Sequence, residues 1–101
     1  MARKIVWTQQ GHNQKIKILA YWLDHNQSST YSKKLNHLFN KKIELLIQYP
    51  YLGIKTQLKN IRVKTVNKYL IAYKITEREI QILAVWDSRQ NPEDFYRRLK
   101  L

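Results

Sequence analysis

The sequence predicts a single α+β domain in which a helical hairpin lies on a small antiparallel sheet. Two changes of period lead there: apolar residues recur at helical spacing across the first half of the chain and at alternating spacing across the second. A third observation is size. The 101 residues contain only two glycines and two prolines, with no repeat and no linker, so residues 1–101 are expected to share one core.

Ile5-Val6-Trp7 is a short β-type run, and Gly11 and Asn13 mark a break after it. From about Gln14, Ile16, Leu19, Ala20 and Leu23 repeat with helical spacing until Asp24-His25-Asn26. Gln27-Ser28-Ser29-Thr30 is a turn with several candidate helix caps. Tyr31, Leu35, Leu38, Phe39, Ile43, Leu46 and Ile47 then define a second, longer helix, antiparallel to the first. Pro50 ends it, because proline cannot continue a helix and disfavours the α conformation at Tyr49.

In the second half Ile61, Val63 and Thr65 alternate with Arg62 and Lys64, giving a strand with one apolar and one basic face. Asn67-Lys68 reads as a tight turn, and Tyr69–Ile75 as the next strand. Thr76-Glu77-Arg78-Glu79 turns the chain into Ile80–Trp86, which is apolar enough for the sheet interior. Asn91-Pro92-Glu93-Asp94 has the order of a helix start: cap, proline at the first helical position, then acids in the first turn. A short C-terminal helix or tail with Phe95, Tyr96, Arg97, Arg98 and Lys100 follows. The predicted order is β-α-α-β-β-β with that short terminal element.

Charge narrows the partners. Nineteen Lys and Arg against seven Asp and Glu give a net charge of +12, and each half of the chain is +6, so the whole body is basic rather than one tail. Such a surface attracts polyanions: nucleic acid, an acidic protein or a membrane surface. The chain has no cysteine, which removes disulfides and thiolate chemistry. It has no apolar stretch long enough for a membrane span or a signal-peptide core, so a cytoplasmic location is expected, with no membrane association. His12, His25 and His37 lack metal-ligand spacing, and there is no phosphate-binding glycine loop or Ser-His-Asp order. No metal or cofactor is therefore expected.

Two constellations remain. Lys55, Lys59, Arg62 and Lys64 form a basic stripe, readable either as phosphate contacts or as a solvated sheet face with long side chains. Asp87-Ser88-Arg89 abruptly ends an apolar strand, readable either as a site or as a turn with a structural ion pair. Because the second half has no histidine, a catalytic centre there would depend on arginine, lysine, tyrosine or a carboxylate. Tyr96, on the basic C-terminal segment, is the best-placed aromatic for stacking on a base.

The sequence resembles the RelE/ParE superfamily of toxins from type II toxin–antitoxin systems. The resemblance rests on Ile5-Val6-Trp7, Tyr49-Pro50-Tyr51-Leu52-Gly53, Asn60-Ile61-Arg62-Val63, Tyr69–Ile75 and the closing Ile82-Leu83-Ala84-Val85-Trp86-Asp87-Ser88-Arg89-Gln90-Asn91-Pro92. It implies a toxin neutralised by an acidic antitoxin that wraps it. RelE-like members cut mRNA on the ribosome; ParE-like members bind DNA gyrase and are not nucleases. The leading expectation is the ribosome-dependent mRNA endonuclease. Arg62, Arg89, Tyr96 and Asp87 would be its catalytic residues, and Lys55, Lys59 and Lys64 would hold RNA and ribosome. A gyrase inhibitor and a non-toxic basic binding module are the alternatives. Leu70 stands where many RelE-like toxins have arginine, and Asp87 where many members have histidine, so the family's roles do not carry over at those two positions; Asp87 is expected instead to orient Arg89.

Overall fold

The computed structural model describes residues 2–26 and 29–99, with Asn26 and Pro92 described by their backbone alone. The elements are β1 (Lys4–Trp7), α1 (Gln9–Asn26), α2 (Ser29–Gln48), β2 (Ile54–Lys55), β3 (Ile61–Val66), β4 (Tyr69–Ile75), β5 (Glu79–Asp87) and α3 (Pro92–Leu99). They form one five-stranded sheet in the order β1-β5-β4-β3-β2. The α+β architecture is the expected one. The turn read at Gln27-Ser28 and the tail residue Lys100 lie outside the described residues.

Three differences from the sequence reading have physical causes. First, the sheet is mixed. β3, β4 and β5 form the antiparallel meander, but β1 pairs with β5 in parallel, Lys4 opposite Glu79 through Trp7 opposite Ile82. The chain between them runs through the helical hairpin and three further strands, which permits this direction where a tight hairpin would forbid it. Second, α1 begins at Gln9, ahead of the expected Gln14. Thr8 caps it: its hydroxyl accepts the Gly11 N–H at 3.1 Å and its carbonyl accepts the His12 N–H at 2.9 Å. Gly11 is therefore inside the first turn, where a Cβ would lie 2.6 Å from the Ile82 carbonyl oxygen. It marks a close approach of helix to strand, not a break. Third, the two-residue β2 extends the sheet beyond β3, too short to leave a period in the sequence.

The sheet buries both faces. On one, Leu35, Phe39, Ile43 and Leu46 of α2 pack on Tyr69, Ile71, Tyr73 and Ile75 of β4 and on Ile80, Ile82 and Val85 of β5. On the other, Phe95 and Leu99 of α3 close over Val63, Ala72, Ala84 and Trp86. β4, the middle strand, is consequently the most completely enclosed. A bulge in β5 sets these faces. Tyr73 opposes Ile82 while Ala72 opposes Ala84, so Leu83 is an extra residue and the alternation shifts by one after it. That shift turns Val85 and Asp87 toward the hairpin side and Trp86 toward α3.

At the strand connections, Asn67 has φ 54° in the β3–β4 turn and Asn60 has φ 63° before β3. Asparagine tolerates this left-handed conformation better than most residues. Asn91 caps α3 by accepting the Glu93 N–H at 2.9 Å, as its sequence pattern predicts.

Candidate functional site

The seven sequence-predicted site residues occupy separate places. Arg62 lies on the hairpin side of β3, where the turn after α2 covers it. Its Nη1 donates to the carbonyl oxygens of Gly53 at 2.9 Å and Tyr51 at 3.3 Å, and its guanidinium sits 5.0 Å from the centre of the Tyr51 ring. The cross-strand partner of Arg62 is Tyr73. The buried Tyr73 hydroxyl accepts the Gly53 N–H at 2.9 Å and donates to the Pro50 carbonyl at 2.7 Å. Together the two side chains fix the turn 50–53 to the sheet.

Asp87 and Arg89 lie at the other end of that sheet face. Asp87 opposes Tyr69, and Tyr69 and Tyr73 are four residues apart on β4, about 13 Å along a strand. The Asp87 carboxylate takes a bidentate pair from Arg89, Oδ1 from Nε at 3.0 Å and Oδ2 from Nη2 at 2.7 Å. The same Oδ1 accepts the Arg89 backbone N–H at 2.9 Å, closing a local turn. The Arg89 guanidinium holds the Asp87 carboxyl below the usual carboxylate range. Its own proton is in turn held more tightly by Asp87.

This pair borders a cleft of about 490 Å³ between α1 and α3. Lys17 and Tyr21 of α1 form one wall and Arg98 of α3 the other, with Val85, Trp86 and Asp87 of β5 at the base. The Arg98 guanidinium stacks 5.2 Å from the Trp86 ring centre. The buried Trp86 Nε1 has no hydrogen-bond partner among the described residues. Tyr69 closes the inner wall: its hydroxyl accepts the Trp22 Nε1–H at 2.8 Å, and burial raises its pKa above the usual phenol value.

Tyr96 belongs to a second cleft, of about 900 Å³, on the α3 side of the sheet, where it faces Lys55, Thr56, Gln57 and Leu58 across Glu93 and Arg97. It is 45% exposed and packs edge-on against Phe95. Lys59 is exposed in the turn preceding β3, and Lys64 is half-buried on the hairpin side of that strand. The structure thus brings together Asp87 with Arg89, and Tyr96 with Lys55; Arg62 joins neither pair. Lys17, Tyr21 and Arg98 were missed as site residues because they come from helices at the two ends of the chain, with no local motif linking them. Among the described residues no group of three His, Cys, Asp or Glu side chains is placed to hold a metal ion, and no helix is long and apolar enough to cross a membrane.

A helical hairpin on a five-stranded sheet, a proline-ended second helix and a polar Asp-Ser-Arg terminus to the last strand define a toxin of the RelE/ParE superfamily. Within it, the sequence matches the ParE toxin of type II toxin–antitoxin systems (parDE) over residues 5–92, and the chain belongs to that family. A solved structure described as the chromosomal ParDE system from P. aeruginosa superposes with a TM-score of 0.73 over 85% of this chain and 96% of that one. Identity there is 14%, so the likeness is one of fold. Comparison with curated proteins gives no match.

Proposed function

We propose that this ParE-family chain arrests growth by binding DNA gyrase, without cutting RNA, and that an acidic antitoxin neutralises it. One observation carries the choice: the four residues expected to form a nuclease centre are dispersed. Arg62 is engaged by the 50–53 turn, Asp87 and Arg89 neutralise each other in one cleft, and Tyr96 lies in another. Acid–base and charge-stabilising groups must reach one reacting phosphate together, within hydrogen-bond distance. An arginine bound bidentately to a carboxylate also has less charge to offer a transition state.

The mRNA endonuclease is the second reading, favoured by Lys55 and Tyr96 lining one cleft, a cation beside an exposed ring on which a base could stack. In it, Lys59 and Lys64 would add backbone contacts with RNA and ribosome. Either way, a net charge of +12 steers association with an acidic antitoxin, and added salt slows that association.

Two assays on the purified chain decide between the readings: DNA supercoiling by gyrase, and mapping of mRNA 5′ ends in cell-free translation. Inhibited supercoiling with intact mRNA is the expected pair of results. New ribosome-dependent ends within codons, with supercoiling untouched, would replace the gyrase reading with the nuclease.

A further inference from the structure

One strongly charged surface takes no part in either cleft. α2 buries Leu35, Phe39, Ile43 and Leu46 against the sheet. Lys34, His37 and Lys41 fall on the opposite side of the helix, with Lys33 and Asn40 beside them, and all five are exposed. From Lys33 to Lys41 the stripe runs about 12 Å along the helix axis. None of these residues lines the cleft between α1 and α3 or the cleft around Tyr96.

Helix stability does not account for the stripe. A stabilising surface places glutamate four residues ahead of lysine. Here His37 and then Lys41 follow Lys33 at that spacing, and the single acid of α2, Glu44, comes after all the lysines. Among the described residues none of these lysines has an ion-pair partner. The helix ends are equally unhelped. α3 opens on Glu93 and Asp94 and closes on Arg97 and Arg98, as the macrodipole favours, whereas α2 has no acid in its first turn and no base in its last.

Composition selects the partner. Protein interfaces are depleted in lysine at their centres and built on aromatic residues, methionine and arginine. α2 has no arginine, and its exposed large apolar residues, Tyr31 and Leu45, stand at its two ends, away from the stripe. The same lack removes the apolar face that an interfacial helix sinks into a membrane, since that face of α2 is already in the core. Single-stranded nucleic acid is bound in grooves with aromatic platforms. This surface is instead a convex rod, and no phenylalanine, tyrosine or tryptophan is exposed between Tyr31 and Tyr49. Lysines in a line on a rigid helix, with Asn40 as a neutral donor among them, suit the regularly spaced phosphates of a duplex. Without an arginine fork they carry no preference among bases.

We propose that the outer face of α2 binds the sugar–phosphate backbone of duplex DNA, independently of base sequence. The source of that DNA rests on the gyrase reading above: α2 would lie against the duplex that gyrase holds. The surface itself rests on α2 alone.

The test is fluorescence anisotropy of a short labelled DNA duplex titrated with the full chain over a series of salt concentrations. Each phosphate contact contributes about 0.9 to the slope of log affinity against log salt, so Lys33→Gln with Lys34→Gln and Lys41→Gln should flatten it by about 2–3. Lys4→Gln with Lys68→Gln and Lys74→Gln removes the same charge from exposed lysines elsewhere and should flatten it by less than about 1. Glutamine matches lysine in helix propensity, so thermal unfolding of the α2 variant should be unchanged. A duplex of scrambled sequence should bind equally well. No binding, equal flattening by the two triple variants, or tighter binding to single-stranded RNA or to vesicles of anionic lipid would overturn the proposal. Gyrase inhibition with a slope indifferent to α2 would overturn the DNA contact and keep the function. A slope that depends on α2 without gyrase inhibition would do the reverse.

Discussion

Arg62 and Tyr73 face each other across the β3–β4 ladder and grip the same turn, Arg62 through the carbonyls of Tyr51 and Gly53, Tyr73 through the carbonyl of Pro50 and the amide of Gly53. The Tyr73 ring is fully buried, and burial raises the pKa of its hydroxyl, so the group remains a donor at neutral pH. Tyr73→Phe leaves a buried amide and a carbonyl without this partner. A loss of about 1–3 kcal/mol in urea unfolding is expected.

Arg62→Lys tests whether this arginine is structural. Both carbonyls are held by the one Nη1 while the guanidinium carbon sits beside the Tyr51 ring, and a compact ammonium cannot keep the carbonyls and the ring together. The variant should lose about 1 kcal/mol of stability, and hydrogen exchange should quicken in the 50–53 turn. Loss of toxicity with unchanged stability and exchange would return Arg62 to a catalytic role.

Gly11→Ala sets two effects against each other. Alanine is favoured over glycine in a helix by about 1 kcal/mol. Its Cβ, however, would stand 2.6 Å from the Ile82 carbonyl oxygen, a backbone atom held in the sheet. Overpacking typically costs about 1–3 kcal/mol, so net destabilisation is expected in thermal unfolding.

Phe95→Ala should cost about 3–5 kcal/mol, because the ring is fully buried against Trp86 and no neighbour can collapse into its place without moving α3. Trp86 fluorescence should shift to the red as its cover is lost.

The Asp87–Arg89 pair gives stability a defined pH dependence. The folded pKa of Asp87 lies below its unfolded value, chiefly through Arg89. Its contribution is therefore complete above the ordinary carboxylate pKa and disappears as pH falls through the lower, folded value. The stability difference between the chain and Asp87→Asn should be constant near neutrality and shrink only in acid. Both groups are solvent-accessible, so the difference is small and weakens with salt.

The sequence made legible whatever is periodic. The Tyr31–Ile47 stripe became α2, and Tyr69–Ile75 became β4 with Tyr69 and Tyr73 on one face, because burial on that face selects those residues. It concealed what depends on approach between distant segments. Gly11 looked like a break because its contact, the Ile82 backbone, is 71 residues away. Arg62 looked available for phosphate because nothing local announces that the Tyr49–Gly53 turn folds over it. Tyr96 and Arg89 are only seven residues apart, yet Tyr96 lines one cleft and Arg89 borders the other. Neither the partition of the expected residues among three places nor the part played by Lys17, Tyr21 and Arg98 could be read from the sequence.

The short reach of β1 has a further consequence for the isolated chain. An exposed strand edge is a template for self-association, and proteins guard such edges with charge. Here Lys17, Arg89 and Arg98 flank the uncovered end of β5, and every copy carries the same +12. Two copies meeting at that edge repel each other, so the charge around it keeps the protein from polymerising on itself. That protection is electrostatic and vanishes with screening: the free protein should remain dispersed in dilute buffer and self-associate as ionic strength rises.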